Sequence, residues 1–148
     1  MKTYTVKIAV GLLITLFAAT AALASEVTVY KSPYCGCCAD WSDHLKDEGF
    51  SVTTEERKDM EPFKDKMGIP VSLRSCHTAI VDGYIIEGHV PAADVKRLLK
   101  ERPEIAGLTV PGMPIGSPGM EQGNKRDRYN VYGIHKDGST FIYNTYND

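Results

Sequence analysis

"VYKSPYCGCC", residues 29–38, passes from strand-forming residues through a Ser-Pro turn into three cysteines spread over four positions. The stretch "EVTVYKS" (26–32) alternates apolar and polar residues and is rich in β-branched ones, which predicts a strand. From about 37 to 48, Cys38, Trp41 and Leu45 recur at i, i+3 and i+7, one face of a helix that Gly49 ends. Strand, turn, aromatic, cysteine and helix together define a βα turn with a thiol at the helix N-terminus. Unpaired backbone N–H groups and the helix dipole stabilise a thiolate there and lower its pKa. Cys35 takes that turn, with Cys37 and Cys38 in the opening turn of the helix.

Outward from this turn the elements alternate. "FSVTTEER" (50–57) predicts a second strand, and "DMEPFKDKMG" (59–68) a short helix with Asp59 as N-cap, Pro62 in the first turn and Gly68 as terminator. In "SCHTAIVDGYIIEGHV" (75–90), two apolar runs meet at Asp82-Gly83, a two-residue hairpin signal. "PAADVKRLLKERP" (91–103) is a helix with Pro91 in its first turn and Val95, Leu98 and Leu99 as its buried stripe. The order β-α-β-α-β-β-α predicts an α/β, thioredoxin-like fold, a central mixed sheet flanked by helices. Beyond about residue 104 comes an extension. "GLTVPGMPIGSPGMEQG" (107–123) reads as an extended Gly/Pro/Met loop. "YNVYGIHKDGSTFIYNTY" reads as a terminal β-hairpin around Asp137-Gly138, its aromatic residues packed on the sheet. "NKRDR" (124–128) between them is a solvated loop.

The N-terminus reads as an address rather than as structure. A basic start with Lys2 and Lys7 precedes an apolar run ending in Ala22-Leu23-Ala24, the small-x-small pattern of a cleavable signal peptide. An uncleaved anchor is the rival reading, and the cleavage triplet with the polar "SEV" after it favours removal of 1–24. Residues 25–148 then make a single domain. Cleavage takes away two lysines and no acid, so the formal charge moves from −2 to −4. No basic stripe remains to meet phosphates, which argues against nucleic acid. Nothing after residue 24 is apolar for long enough to cross a bilayer.

In an exported chain, four cysteines would ordinarily be structural disulfides. The adjacent pair Cys37-Cys38 and the single-residue gap to Cys35 resist that, because any bridge among the three closes a very tight loop. Cys76 is the distant fourth. In the thioredoxin-like arrangement a cis-proline precedes the third strand and packs on the first-turn cysteines, and here "SCH" puts Cys76-His77 at that place. Four sulfurs are thus expected to converge. A dithiol exchanger needs one nucleophile and one resolving thiol, so two further thiols are a cost to it. Zinc wants four ligands tetrahedrally about one ion, which neighbours about 100° apart around a helix chelate poorly. Crowded thiolates suit several bridged Cu(I) ions, and an iron–sulfur centre lacks its usual spacings.

Met113 and Met120 lie in the polar loop "GMPIGSPGM" and offer soft thioethers to the same copper ions. Met60 and Met67 read as ordinary packing. His77 adjoins Cys76 and is a candidate ligand or supporting group, although strand alternation would send the two to opposite faces. His44 reads as a surface residue, His89 and His135 as structural, and Trp41 with Leu45 as core.

With these residues in view, "YKSPYCGCCADW", "MGIPVSLRSCHTAIVDGYIIEGHVPAADVKRLL" and "GLTVPGMPIGSPGME" resemble the family of exported, thioredoxin-like metal-binding proteins that includes the copper-resistance protein CopG. The resemblance runs through nearly all of the chain after residue 24. It implies a periplasmic protein of Gram-negative bacteria that binds several Cu(I) ions through Cys35, Cys37, Cys38 and Cys76. It also implies a role in copper resistance, with other periplasmic copper-handling proteins as partners and a step between Cu(I) and Cu(II) as candidate redox chemistry. Turnover as an enzyme stays open. The rival from another class is a thiol–disulfide oxidoreductase using Cys35 and Cys38.

Overall fold

The structure, a computed structural model, describes residues 24–147. The segment read as a signal peptide lies outside the described residues except for Ala24. Strands and helices follow in the order β1 (Glu26–Lys31), α1 (Gly36–Asp47), β2 (Ser51–Glu56), α2 (Glu61–Lys66), β3 (Thr78–Val81), β4 (Tyr84–Glu87), α3 (Ala92–Glu101), β5 (Gly107–Thr109), β6 (Tyr129–Ile134) and β7 (Thr140–Tyr146). A 3-10 turn at Val71–Leu73 precedes β3. No described helix is long and apolar enough to cross a membrane.

The strands form one mixed sheet in the order β2-β1-β3-β4-β5-β6-β7. β1 with β2, and β4 with β5, pair in parallel, while the remaining neighbours are antiparallel. Parallel neighbours cannot be joined by a tight turn and need a crossover. Helices α1 and α3 supply the two crossovers. Each is amphipathic: α1 buries Cys38, Trp41 and Leu45, and α3 buries Val95 and Leu98. These side chains meet Val27, Val29, Ile86 and Leu108 of the sheet in one fully buried core.

Three details depart from the sequence reading. The span after 107 is not loop throughout, because Gly107–Thr109 forms β5 between β4 and β6. Gly107 suggested a loop, yet it is glycine because the backbone passes so close to Ile85 that a Cβ would stand 1.8 Å from the Ile85 carbonyl oxygen. In α2 the N-cap is Met60 rather than Asp59, and no side chain caps the helix. The third strand begins at Thr78, so Cys76 and His77 precede it.

The hairpin turn is as expected. Asp82 and Gly83 both take positive φ, 47° and 84°, as a two-residue turn that matches the strand twist demands. Val81 pairs with Tyr84 and Thr78 with Glu87. Antiparallel β1 and β3 place Tyr30 opposite Thr78. One end of the sheet therefore gathers the exit of β1, the approach to β3 and the exit of β4.

Candidate metal centre

Each functional side chain reaches that end of the sheet by a separate structural cause. β1 runs out at Lys31, and the Cys35 N–H donates to the Ser32 carbonyl at 3.1 Å, closing the Ser-Pro turn. Cys35 is the N-cap of α1 with extended backbone angles and makes no side-chain cap bond. Cys37 and Cys38 follow in the first turn, Cys38 fully buried and Cys37 half-buried. Cys76 approaches from the other side, two residues before β3. The four sulfur atoms lie within 4.8 Å of one another. Cys35 and Cys38 are joined as a disulfide, and Cys37 and Cys76 are free thiols. Cys37 Sγ stands 3.5 Å from Cys35 Sγ and 3.9 Å from Cys76 Sγ.

A buried polar network sets the approach of Cys76. Lys64 and Glu87 are buried and form an ion pair; Lys64 Nζ also donates to Thr78 Oγ1 at 3.0 Å. The Thr78 hydroxyl donates to Glu87 Oε2 at 2.5 Å, and the Ser75 backbone N–H donates to Glu87 Oε1 at 2.7 Å. Glu87 thus pins the residue immediately before Cys76. Burial pushes its carboxyl above the usual carboxylate range, with the Lys64 ammonium opposing. Ser75 Oγ reaches the Gly112 carbonyl, tying the same segment to the loop that follows β5.

Two histidines complete the site. Because Cys76 and His77 precede the strand, pleat alternation does not separate them: His77 Nδ1 lies 3.3 Å from Cys76 Sγ. His77 is fully buried, its ring centroid 4.4 Å from that of Trp41. Burial holds its pKa well below the ordinary histidine value, and His89 and Lys64 add to the effect. His89, read from sequence as structural, places Nε2 at 3.1 Å from the same sulfur. Its Nδ1 is 2.8 Å from the Pro118 carbonyl. A carbonyl only accepts, so Nδ1 carries the proton and Nε2 presents its lone pair to Cys76. Cys76, His77 and His89 form a second cluster whose ligand atoms lie within 4.8 Å of one another. The Cys76 thiol is pushed up to about 12, by burial first and by neighbouring Cys37 next. In the metal-free protein it is a protonated thiol, unlike a thiolate activated by a helix N-terminus.

The Gly/Pro/Met loop covers the site with backbone rather than with both of its methionines. Gly119, at φ 83°, rests on the first turn of α1, where a Cβ would stand 2.8 Å from Trp41 N and 2.9 Å from Cys37 O. Met120 next to it is half-buried, whereas Met113 is 52% exposed. His44 is half-buried rather than on the surface, and its Nε2 accepts the Ala92 N–H at 3.2 Å at the start of α3. His135 is exposed, and Met60 and Met67 are half-buried around α2.

Such an α/β protein, with a sulfur- and imidazole-rich cluster at one end of its sheet, has the donor set of a soft-metal-binding protein. Two solved structures described as copper resistance protein CopG are similar to it. One, form 2, is 44% identical over 84% of this chain and 99% of that chain, with a TM-score of 0.80. The other, form 1, is 45% identical over 83% and 98%, with a TM-score of 0.79. The chain belongs to the CopG family of copper resistance proteins. Residues 73–120 also match the family described as "Protein of unknown function, DUF411", which spans Cys76, His77, His89 and the Met loop. No curated protein sequence matches the chain.

Proposed function

We propose that this protein holds Cu(I) in copper resistance, as a cluster of several ions bridged by the thiolates of Cys35, Cys37, Cys38 and Cys76. The observation that carries this reading is the convergence of four sulfurs from two distant segments within 4.8 Å. Soft thiolates favour Cu(I), and crowding favours shared rather than separate ligands. His77, Met113 and Met120 are the further donors, Met120 standing beside the Gly119 contact with Cys37 O. The scaffold is thioredoxin-like, a reading supported by the order β2-β1-β3-β4 with α1 as the first crossover. Residues 1–24 direct export to the periplasm and are removed, leaving 25–148 as one domain with its extension from about 104. Other periplasmic copper-handling proteins supply or accept the metal, and passage between Cu(I) and Cu(II) is the candidate redox step.

Reduced protein loaded anaerobically with Cu(I), then desalted, is expected to retain more than one copper per chain, and a Cys37→Ser variant to lose most of it. Retention of one ion or none by the wild type overturns the cluster.

One observation favours a second reading, thiol–disulfide exchange: Cys35 and Cys38 are bonded to each other. Catalytic reduction of insulin that depends on Cys35 and Cys38, without copper retention, selects that reading.

A further inference from the structure

Disulfide formation withdraws Cys35 and Cys38 from any metal, because neither sulfur then has a thiolate to give. On the far side of the site stands a donor set that this does not touch. We propose that Cys76, His77 and His89 form a site for one borderline divalent transition cation, open while Cys35 and Cys38 are disulfide-bonded.

Geometry carries the assignment. Cys76 Sγ lies 3.1 Å from His89 Nε2 and 3.3 Å from His77 Nδ1, and the three atoms fall within 4.8 Å of one another. A tetrahedral ion with sulfur at about 2.3 Å and nitrogen at about 2.0–2.1 Å spaces such donors by about 3.5 Å. Opening each contact by a few tenths of an ångström therefore admits an ion. The His89 ring is already oriented as a ligand, since its Nδ1–H is held by the Pro118 carbonyl and its Nε2 lone pair faces the sulfur. Ligating histidines are held this way by a partner on the other ring nitrogen.

His77 supplies the second nitrogen donor. It is fully buried, and its Nδ1 is directed to Cys76. Packing locks both rings: His77 against Trp41 at 4.4 Å, and edge-on to His89 at 5.0 Å. Half-buried Cys76 leaves a path to solvent. One thiolate with two neutral imidazoles is a harder donor set than four thiolates, which moves preference from Cu(I) toward divalent ions such as Zn(II) and Cu(II).

The site shares Cys76 and His77 with the proposed Cu(I) cluster but does not require the cluster to exist. The test uses the disulfide form of the full mature chain, confirmed by mass spectrometry, titrated with Co(II) as the probe. Expected are one Co(II) per chain, a tetrahedral ligand-field spectrum with a sulfur-to-cobalt charge-transfer band, and displacement by Zn(II). Cys76→Ser removes the charge-transfer band, and His89→Gln weakens binding at least tenfold. Should a variant fail to fold, cadmium-113 coupling to the ring nitrogens of His77 and His89 in labelled wild-type protein gives the same answer. Absence of Co(II) binding in the disulfide form overturns the proposal, as does a charge-transfer band that survives in Cys76→Ser. So does cadmium bound without coupling to either histidine. The Cu(I) count on reduced protein is read separately, so failure of one site is distinguishable from failure of the other.

Discussion

Cys76 faces sulfur on one side and two imidazoles on the other, and its acidity follows from that position. Burial and the neighbouring Cys37 push its thiol up to about 12 from an unperturbed 9.0, so at neutral pH the proton stays on. Only the thiolate attacks an alkylating reagent or binds metal. Alkylation of Cys76 by iodoacetamide in metal-free protein at pH 7 is therefore expected to be at least about tenfold slower than that of an unperturbed thiol, the lost thiolate fraction outweighing the higher nucleophilicity of a more basic sulfur, measured by peptide mass spectrometry. Each ion that binds Cys76 displaces one proton, so apparent affinity falls about tenfold per unit drop in pH from this residue alone. Residue identity made Cys76 legible in sequence as a fourth sulfur. Its protonation was not legible, because that depends on burial and on a neighbour 39 positions away.

At the scale of elements, the hairpin β3–β4 does most to assemble the site. Counting outward from the two-residue turn at Asp82-Gly83, Val81 faces Tyr84 and Thr78 faces Glu87. The Gly88 N–H to His77 carbonyl bond of 3.0 Å carries the register one step beyond the strands, and the next residues, Cys76 and His89, meet there with Sγ 3.1 Å from Nε2. The turn signal was visible in sequence, so the pairing of Cys76 with His89 was recoverable. No local signal around His89 marks it as a partner of Cys76; only the hairpin register, carried past the strand ends, brings the two together. The Lys64–Glu87 pair was not recoverable, since α2 carries two lysines, Lys64 and Lys66, and nothing local marks the buried one. Lys64→Met by itself strands a buried carboxylate and is expected to cost roughly 3–5 kcal/mol in urea unfolding. The double variant Lys64→Met with Glu87→Leu is expected within about 2 kcal/mol of wild type. It deprives the Ser75 N–H of its acceptor, so it should still weaken metal binding at Cys76 in a Cu(I) competition assay.

Across the whole molecule, α1 and α3 are joined through His44 Nε2, which accepts the Ala92 N–H. Protonation destroys that acceptor. Burial lowers the His44 pKa below 6.5 and Lys96 acts in the same direction, outweighing the Glu48, Glu121 and Asp47 carboxylates that oppose them. The unfolded chain therefore takes up the proton first as pH falls. Stability from His44 is fully present above about 6.5 and drains as pH drops toward the folded-state value. Urea midpoints of metal-free protein at pH 7.5 and 5.0 are expected to differ by more in wild type than in His44→Gln, which retains an acceptor that does not titrate. The broad architecture was legible because hydrophobic period, turn residues and helix stops agree along the chain to residue 103. The strand β5 was not, since three residues beside a glycine carry no periodic signal and form only because β4 and β6 offer an open slot.

The turn at Asp82-Gly83 acts as a ruler. Substitutions there that tolerate positive φ leave every pairing in β3–β4 unchanged, whereas one inserted or deleted residue would shift the register and turn one side's alternate side chains to the opposite face of the sheet. His89 would then leave Cys76 although neither residue had been altered. The length of a solvent-exposed turn, more than its composition, thus constrains which descendants of this chain can keep a mixed sulfur and nitrogen site.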